Sequence, residues 1–176
     1  MVLTIRLNDV LRDAIQRPAR DLVTRPTGAA IRNRIRQAMD ATPHPTARLD
    51  FGEVGLLDFS CADEVVAKLL RDTGDDRYLV CYDLDDSQAD AVDAVLERQD
   101  LAVVAVLRDG TPVLLGAVSQ ECRTAFLAVL EGGGDADRLA ARLAWTPERA
   151  ADALQALALR RLVLAAHGTF TPIPLQ

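Results

Sequence analysis

Residues 135–172 constrain the fold most, because start, turn and stop signals follow one another there in a fixed order. A short amphipathic helix is expected over 137–143, followed by the turn Ala144-Trp145. A second helix starts at Thr146-Pro147-Glu148. Thr146 can accept from an orphan backbone N–H, Pro147 suits the first helical position, and Glu148 complements the helix dipole. Ala150, Ala153, Leu154 and Leu157 then fall at i, i+3, i+4 and i+7, one buried stripe. An apolar run over 162–164, a turn at His167-Gly168 and Thr169-Phe170-Thr171 close the stretch as a short hairpin before Pro172.

Helix, tight turn, capped helix and hairpin make a winged helix-turn-helix. The residues that carry it are Leu139-Ala140, Leu143, Thr146-Pro147, Ala153-Leu154, Leu157 and Arg161-Leu162-Val163. They resemble the winged-helix domains of bacterial transcription regulators over the last third of the chain. These are mainly fold-building positions, so the resemblance implies a fold more firmly than a DNA contact. The helix before them is expected over 119–131, with Ser119 as its cap and Gly132-Gly133-Gly134 as its stop.

The first part alternates between strand and helix signals. Strands are expected over 2–7, 47–51, 78–83 and 101–107. Helices are expected over 27–39, with Arg32, Asn33 and Arg36 facing out, over 60–72 and over 87–99. In the middle helix Ala62, Val65, Val66, Leu69 and Leu70 form a stripe, and Ser60 is read as its N-cap, with Asp63 and Glu64 in the first turn. Such alternation describes a sheet covered by helices, an α/β arrangement. Arg108-Asp109-Gly110-Thr111 reads as a hairpin or a joint, which puts a domain boundary near 110–118.

Two short signatures, Leu49-Asp50-Phe51 with Val54 and Leu57-Asp58-Phe59-Ser60 with Ala62-Asp63-Glu64, resemble the STAS-like fold, which includes antagonists of anti-sigma factors. The resemblance spans about 1–108. In phosphorylation-controlled members a phosphate-accepting Ser directly follows the Asp. Here Phe59 takes that place and Ser60 comes one later, which argues against a phospho-switch. The expected organisation is therefore a STAS-like α/β domain over 1–110 and a winged helix over 111–176.

Charge is segregated along the chain. Residues 1–50 carry nine Arg against five acids, while residues 51–110 carry five basic residues against fifteen acids. Arg17, Arg20, Arg25, Arg32, Arg34 and Arg36 are the basic concentration. Residues 135–176 are only marginally basic, whereas a nucleic-acid binder is usually basic where it docks.

Several chemistries find no support. The acidic run from Asp83 to Asp93 lacks the Gly and Glu of a calcium loop. The triple glycine is not followed by Lys-Ser or Lys-Thr, and no GxSxG elbow surrounds Ser60. Cys61, Cys81 and Cys122 are read as buried free thiols. No catalytic residue, metal site or cofactor is expected. With no apolar run long enough to span a membrane and no secretory leader, the expectation is a cytoplasmic, non-enzymatic regulator.

Candidate DNA contacts are Arg138, Arg142, Thr146, Arg149, Gln155, Arg160, Arg161 and His167, while Glu148 and Asp152 on the outer face of the same helix would oppose the phosphates. Candidate partner contacts are Asp58, Ser60, Asp63 and Glu64. Two readings stay open. One is a DNA-binding regulator, with a homodimer matching a two-fold site as an option. The other is a partner-switching adaptor that touches only proteins, such as a regulatory kinase or a sigma-type factor.

Overall fold

A computed structural model describes residues 1–175. The chain divides into two compact units, Met1–Ala117 and Val118–Pro174.

The first unit is an α/β structure around a five-stranded sheet in the order β1-β2-β3-β4-β5. Strands β1 (Val2–Arg6), β2 (Thr46–Asp50), β3 (Tyr78–Leu84) and β4 (Ala102–Leu107) run parallel, and β5 (Pro112–Gly116) returns antiparallel to β4. Four helical stretches connect them. They are α1 (Leu7–Ile15), α2 (Arg25–Asp40), a bent helix and α5 (Asp86–Arg98). The bent helix is built from α3 (Phe59–Ala62), a π-helical segment (Asp63–Lys68) and α4 (Leu69–Asp72). Crossovers between neighbouring parallel strands lay successive helices on one face. The period-2 alternation supplies that face: Ile5, Leu49, Leu79, Cys81, Val103, Ala105 and Leu115 share one core with Ile31, Ile35, Val65, Val66, Leu69, Val92 and Leu96.

Four local expectations need correction. Leu7, expected within the first strand, instead opens a nine-residue helix. Pro26 lies inside the first turn of α2, where its missing N–H costs nothing, so it opens the helix and does not precede it. Asp58, not Ser60, is the N-cap of α3: its Oδ1 accepts from Cys61 N at 2.7 Å. Residues 112–116, allotted to the second domain, belong to the sheet, because β5 pairs with β4 along five residues.

The second unit contains α6 (Gln120–Gly132), α7 (Ala136–Leu143), α8 (Pro147–Leu159) and a hairpin of β6 (Leu164–Ala166) and β7 (Thr169–Thr171). Each helix has a side-chain cap: Ser119 accepts from Cys122 N, Asp135 from Arg138 N and Thr146 from Arg149 N. Ala144, at φ +53, ends α7 in the left-handed region. His167 and Gly168 both have positive φ, as a two-residue type I′ hairpin requires. Gly134 exchanges two backbone hydrogen bonds with Phe170, at 2.9 and 3.0 Å, so the segment between α6 and α7 adds a third, one-residue edge to the hairpin.

Candidate functional site

In the second unit the outward face of α8 decides what the surface can touch. Ala150, Ala153, Leu154 and Leu157 are buried, as their spacing requires. On the opposite side Ala151, Gln155, Ala158 and Leu159 line an open groove of about 490 Å³, completed by Ala165 and Phe170 of the hairpin. Leu159 is 78% exposed. Gln155 is therefore set among apolar side chains, with no basic neighbour in the groove lining.

The structure engages several of the candidate DNA contacts elsewhere. Arg149 pairs with Glu121 through both Nε, at 2.7 Å, and a terminal nitrogen, at 2.5 Å. Its guanidinium also lies 4.3 Å from the centre of the Trp145 ring. Arg142 donates to the carbonyl of Ala128 on α6, and Thr146 is used in capping α8. Arg138 is exposed on α7, and His167 sits at the hairpin tip. Arg160 and Arg161 follow α8 and are half-buried, with Arg161 at φ +57. These basic groups do not converge on the α8 face.

In the first unit the four candidate partner contacts are engaged within the unit, Asp63 and Glu64 in a charge cluster with Arg25, Arg32 and Lys68. Glu64 is 2% exposed and accepts from Arg25 and Arg32 of α2, each at 2.8 Å, and from Lys68 one turn on. Asp63 accepts from Arg25 at 2.6 Å and from Gln99 at 2.8 Å. Arg32, expected to face solvent, is thus turned toward the bent helix with its side chain only 19% exposed. Burial alone pushes the Glu64 carboxyl up, but the donors Lys68 and Arg25 and the charge of Arg32 outweigh it, and the net shift is downward. Asp63 is likewise held low, by Arg25 and Gln99 against its burial.

Asp58 works as a local staple. Burial raises its pKa, and the backbone N–H groups of Cys61 and Thr24 together with the Ser60 hydroxyl more than reverse that. Ser60 donates to Asp58 Oδ1 at 2.8 Å, and Thr24 N donates to Oδ2 at 2.9 Å. What faces solvent here is apolar and was missed in the sequence: Leu56 is 66% and Phe59 64% exposed. Their signal was present in the apolar residues that flank Asp58 on both sides.

Cys61 and Cys81 are fully buried, while Cys122 is half-buried, contrary to expectation. Among the described residues, no cluster of three His, Cys, Asp or Glu side chains is arranged to hold a metal ion. No described helix is long and apolar enough to cross a membrane. Comparison with known proteins returns no match to any family model, curated protein or solved structure.

Proposed function

We propose that the chain is a non-enzymatic regulatory adaptor that works through protein contacts, with a STAS-like first unit and a winged-helix second unit. The observation that carries this reading is the groove on α8 and the hairpin, whose centre is apolar and whose most prominent residue is Leu159. A recognition helix that enters a DNA major groove needs donors and acceptors on that face and basic anchors around it. Here the face offers Gln155 among Ala151, Ala158 and Leu159, without basic anchors in the groove lining, and the arginine at the helix start is held by Glu121 and Trp145. Glu148 and Asp152 on the same helix would oppose phosphates. They suit a partner segment with apolar side chains at its centre and basic ones at its rim. On the first unit, exposed Leu56 and Phe59 beside the Asp58 staple provide a second apolar contact surface.

The element order of three helices and a hairpin, together with the one-residue edge at Gly134, supports the winged-helix name. It also keeps DNA binding as the second reading, with Arg138, Gln155, Arg160, Arg161 and His167 as the contacts that remain. Titration of the full chain against a labelled random duplex at low salt separates the two. The adaptor reading predicts no saturable change in anisotropy. Binding that falls steeply with salt and weakens in Arg160→Ala overturns it in favour of DNA.

A further inference from the structure

The face formed by α8 and the hairpin carries both a projection and a recess that could receive it. Leu159 stands 78% exposed near one end of the helix, while the small side chains Ala151, Ala158 and Ala165 line the groove beside it. Gln155 is the polar side chain of that lining, and along the helix it lies between Ala151 and Leu159. Charge also changes sign along α8. Glu148 stands in its first turn and Asp152 follows one turn on, whereas Arg160 caps its end and Arg161 comes next.

One arrangement uses all of these features. A two-fold axis makes a patch meet itself, so every group must suit its own mate or the group opposite it through the axis. Two copies of α8 crossing antiparallel, with the axis at Gln155, meet that condition. The projecting Leu159 of each copy falls opposite Ala151 of the other, large against small. The two Gln155 amides meet at the axis, and because an amide both donates and accepts, each can satisfy the other. Glu148 falls at the far end of the opposite helix, within a turn of Arg160 and Arg161, so unlike charges face each other. A parallel pair would set acid against acid and Leu159 against Leu159.

We propose that the α8 groove is filled by a second copy of this chain, in an isologous dimer with Gln155 on its axis. The proposal rests on reading the groove as a protein-docking face, and it names the partner. An unrelated protein could cover an apolar groove without a central amide that pairs with itself, or a charge that reverses along the helix. A second copy requires both.

The test is sedimentation equilibrium of the full chain from about 1 μM to about 1 mM. Wild type should pass from one chain mass to two, and Leu159→Glu should weaken association at least about tenfold. Gln155→Lys and Gln155→Glu check the axis itself. In each alone like charges meet across it, and in their mixture unlike charges meet. Each alone should remain a single chain, and the equimolar mixture should recover the dimer. Melting curves verify that all three variants fold. Wild type that stays a single chain throughout, while a different protein is still captured from extract through Leu159, overturns the second copy and leaves the docking face standing. A single chain that captures nothing fails both readings. A dimer unchanged by Leu159→Glu, or a mixture of the Gln155 variants no more associated than either alone, places the contact elsewhere and overturns the proposal.

Discussion

Arg32 donates to Glu64 across 2.8 Å, and the carboxylate that receives it is 2% exposed. With Arg25 and Lys68 on the same carboxylate, α2 is tied to the bent helix by one buried anion. Removing a single member of such a cluster leaves buried charge uncompensated, which costs more than the cluster contributes.

Glu64→Gln should therefore destabilise the first unit by about 3 kcal/mol, read by urea denaturation. The folded pKa of Glu64 is lowered, as are those of Asp58 and Asp63. Their contribution is fully present above the ordinary carboxyl values, 4.5 for Glu and 3.8 for Asp, and is lost as pH falls through the folded values. Wild type should lose stability progressively below about pH 5, and Glu64→Gln should show a shallower acid limb. An identical limb in the variant would rule out this assignment.

At Gly28 α2 approaches the bent helix closely. A Cβ there would stand 2.9 Å from Glu64 Cβ and 3.1 Å from Cys61 Cα. Gly→Ala in a helix interior ordinarily gains about 1 kcal/mol. Here the clash reverses the sign, and Gly28→Ala should lose about 1–3 kcal/mol. A melting temperature at or above that of wild type would show that the helices have room.

The thiols give an alkaline counterpart. Burial first, then the charge of Asp58, pushes Cys61 up to about 12, and burial pushes Cys81 to about 12. Each folded value is raised above the ordinary 9.0, so stability is unaffected by these groups below that pH. It is lost between pH 9.0 and about 12, as the unfolded chain ionises its thiols first. In native protein at neutral pH a thiol reagent should label half-buried Cys122 first, with Cys61 and Cys81 protected until unfolding. Early labelling of Cys81 would contradict its place in the core.

Local signals were legible in the sequence. The caps Ser119 and Thr146, the stripe Ala150 to Leu157 and the hairpin turn His167-Gly168 each depend on residues a few places apart. What was not legible depends on distant partners. Arg32 reads as an outward residue until Glu64, 32 residues on, turns it inward. Ser60 reads as a cap, but Asp58 also meets Thr24 N, and that second donor holds its carboxylate in the capping position. Arg149 reads as a base-reading residue until Glu121 and Trp145 engage it. The acidic run from Asp83 reads as solvated helix-start acids and not as a calcium loop, and only the structure brings Asp83 near Asp50 and Asn8 in the lining of one cavity.

The central claim is that the α8 groove is a protein-docking face, and Leu159→Glu tests it most directly. A charge at this exposed position of the groove should leave the fold intact and repel an apolar partner. The measurement is quantitative co-purification from native extract with and without nuclease treatment, with wild type and variant compared by mass spectrometry. The account predicts a stoichiometric protein partner with wild type and its loss by at least about tenfold with Leu159→Glu. Equal recovery with both proteins, or partner recovery that disappears on nuclease treatment, would contradict it.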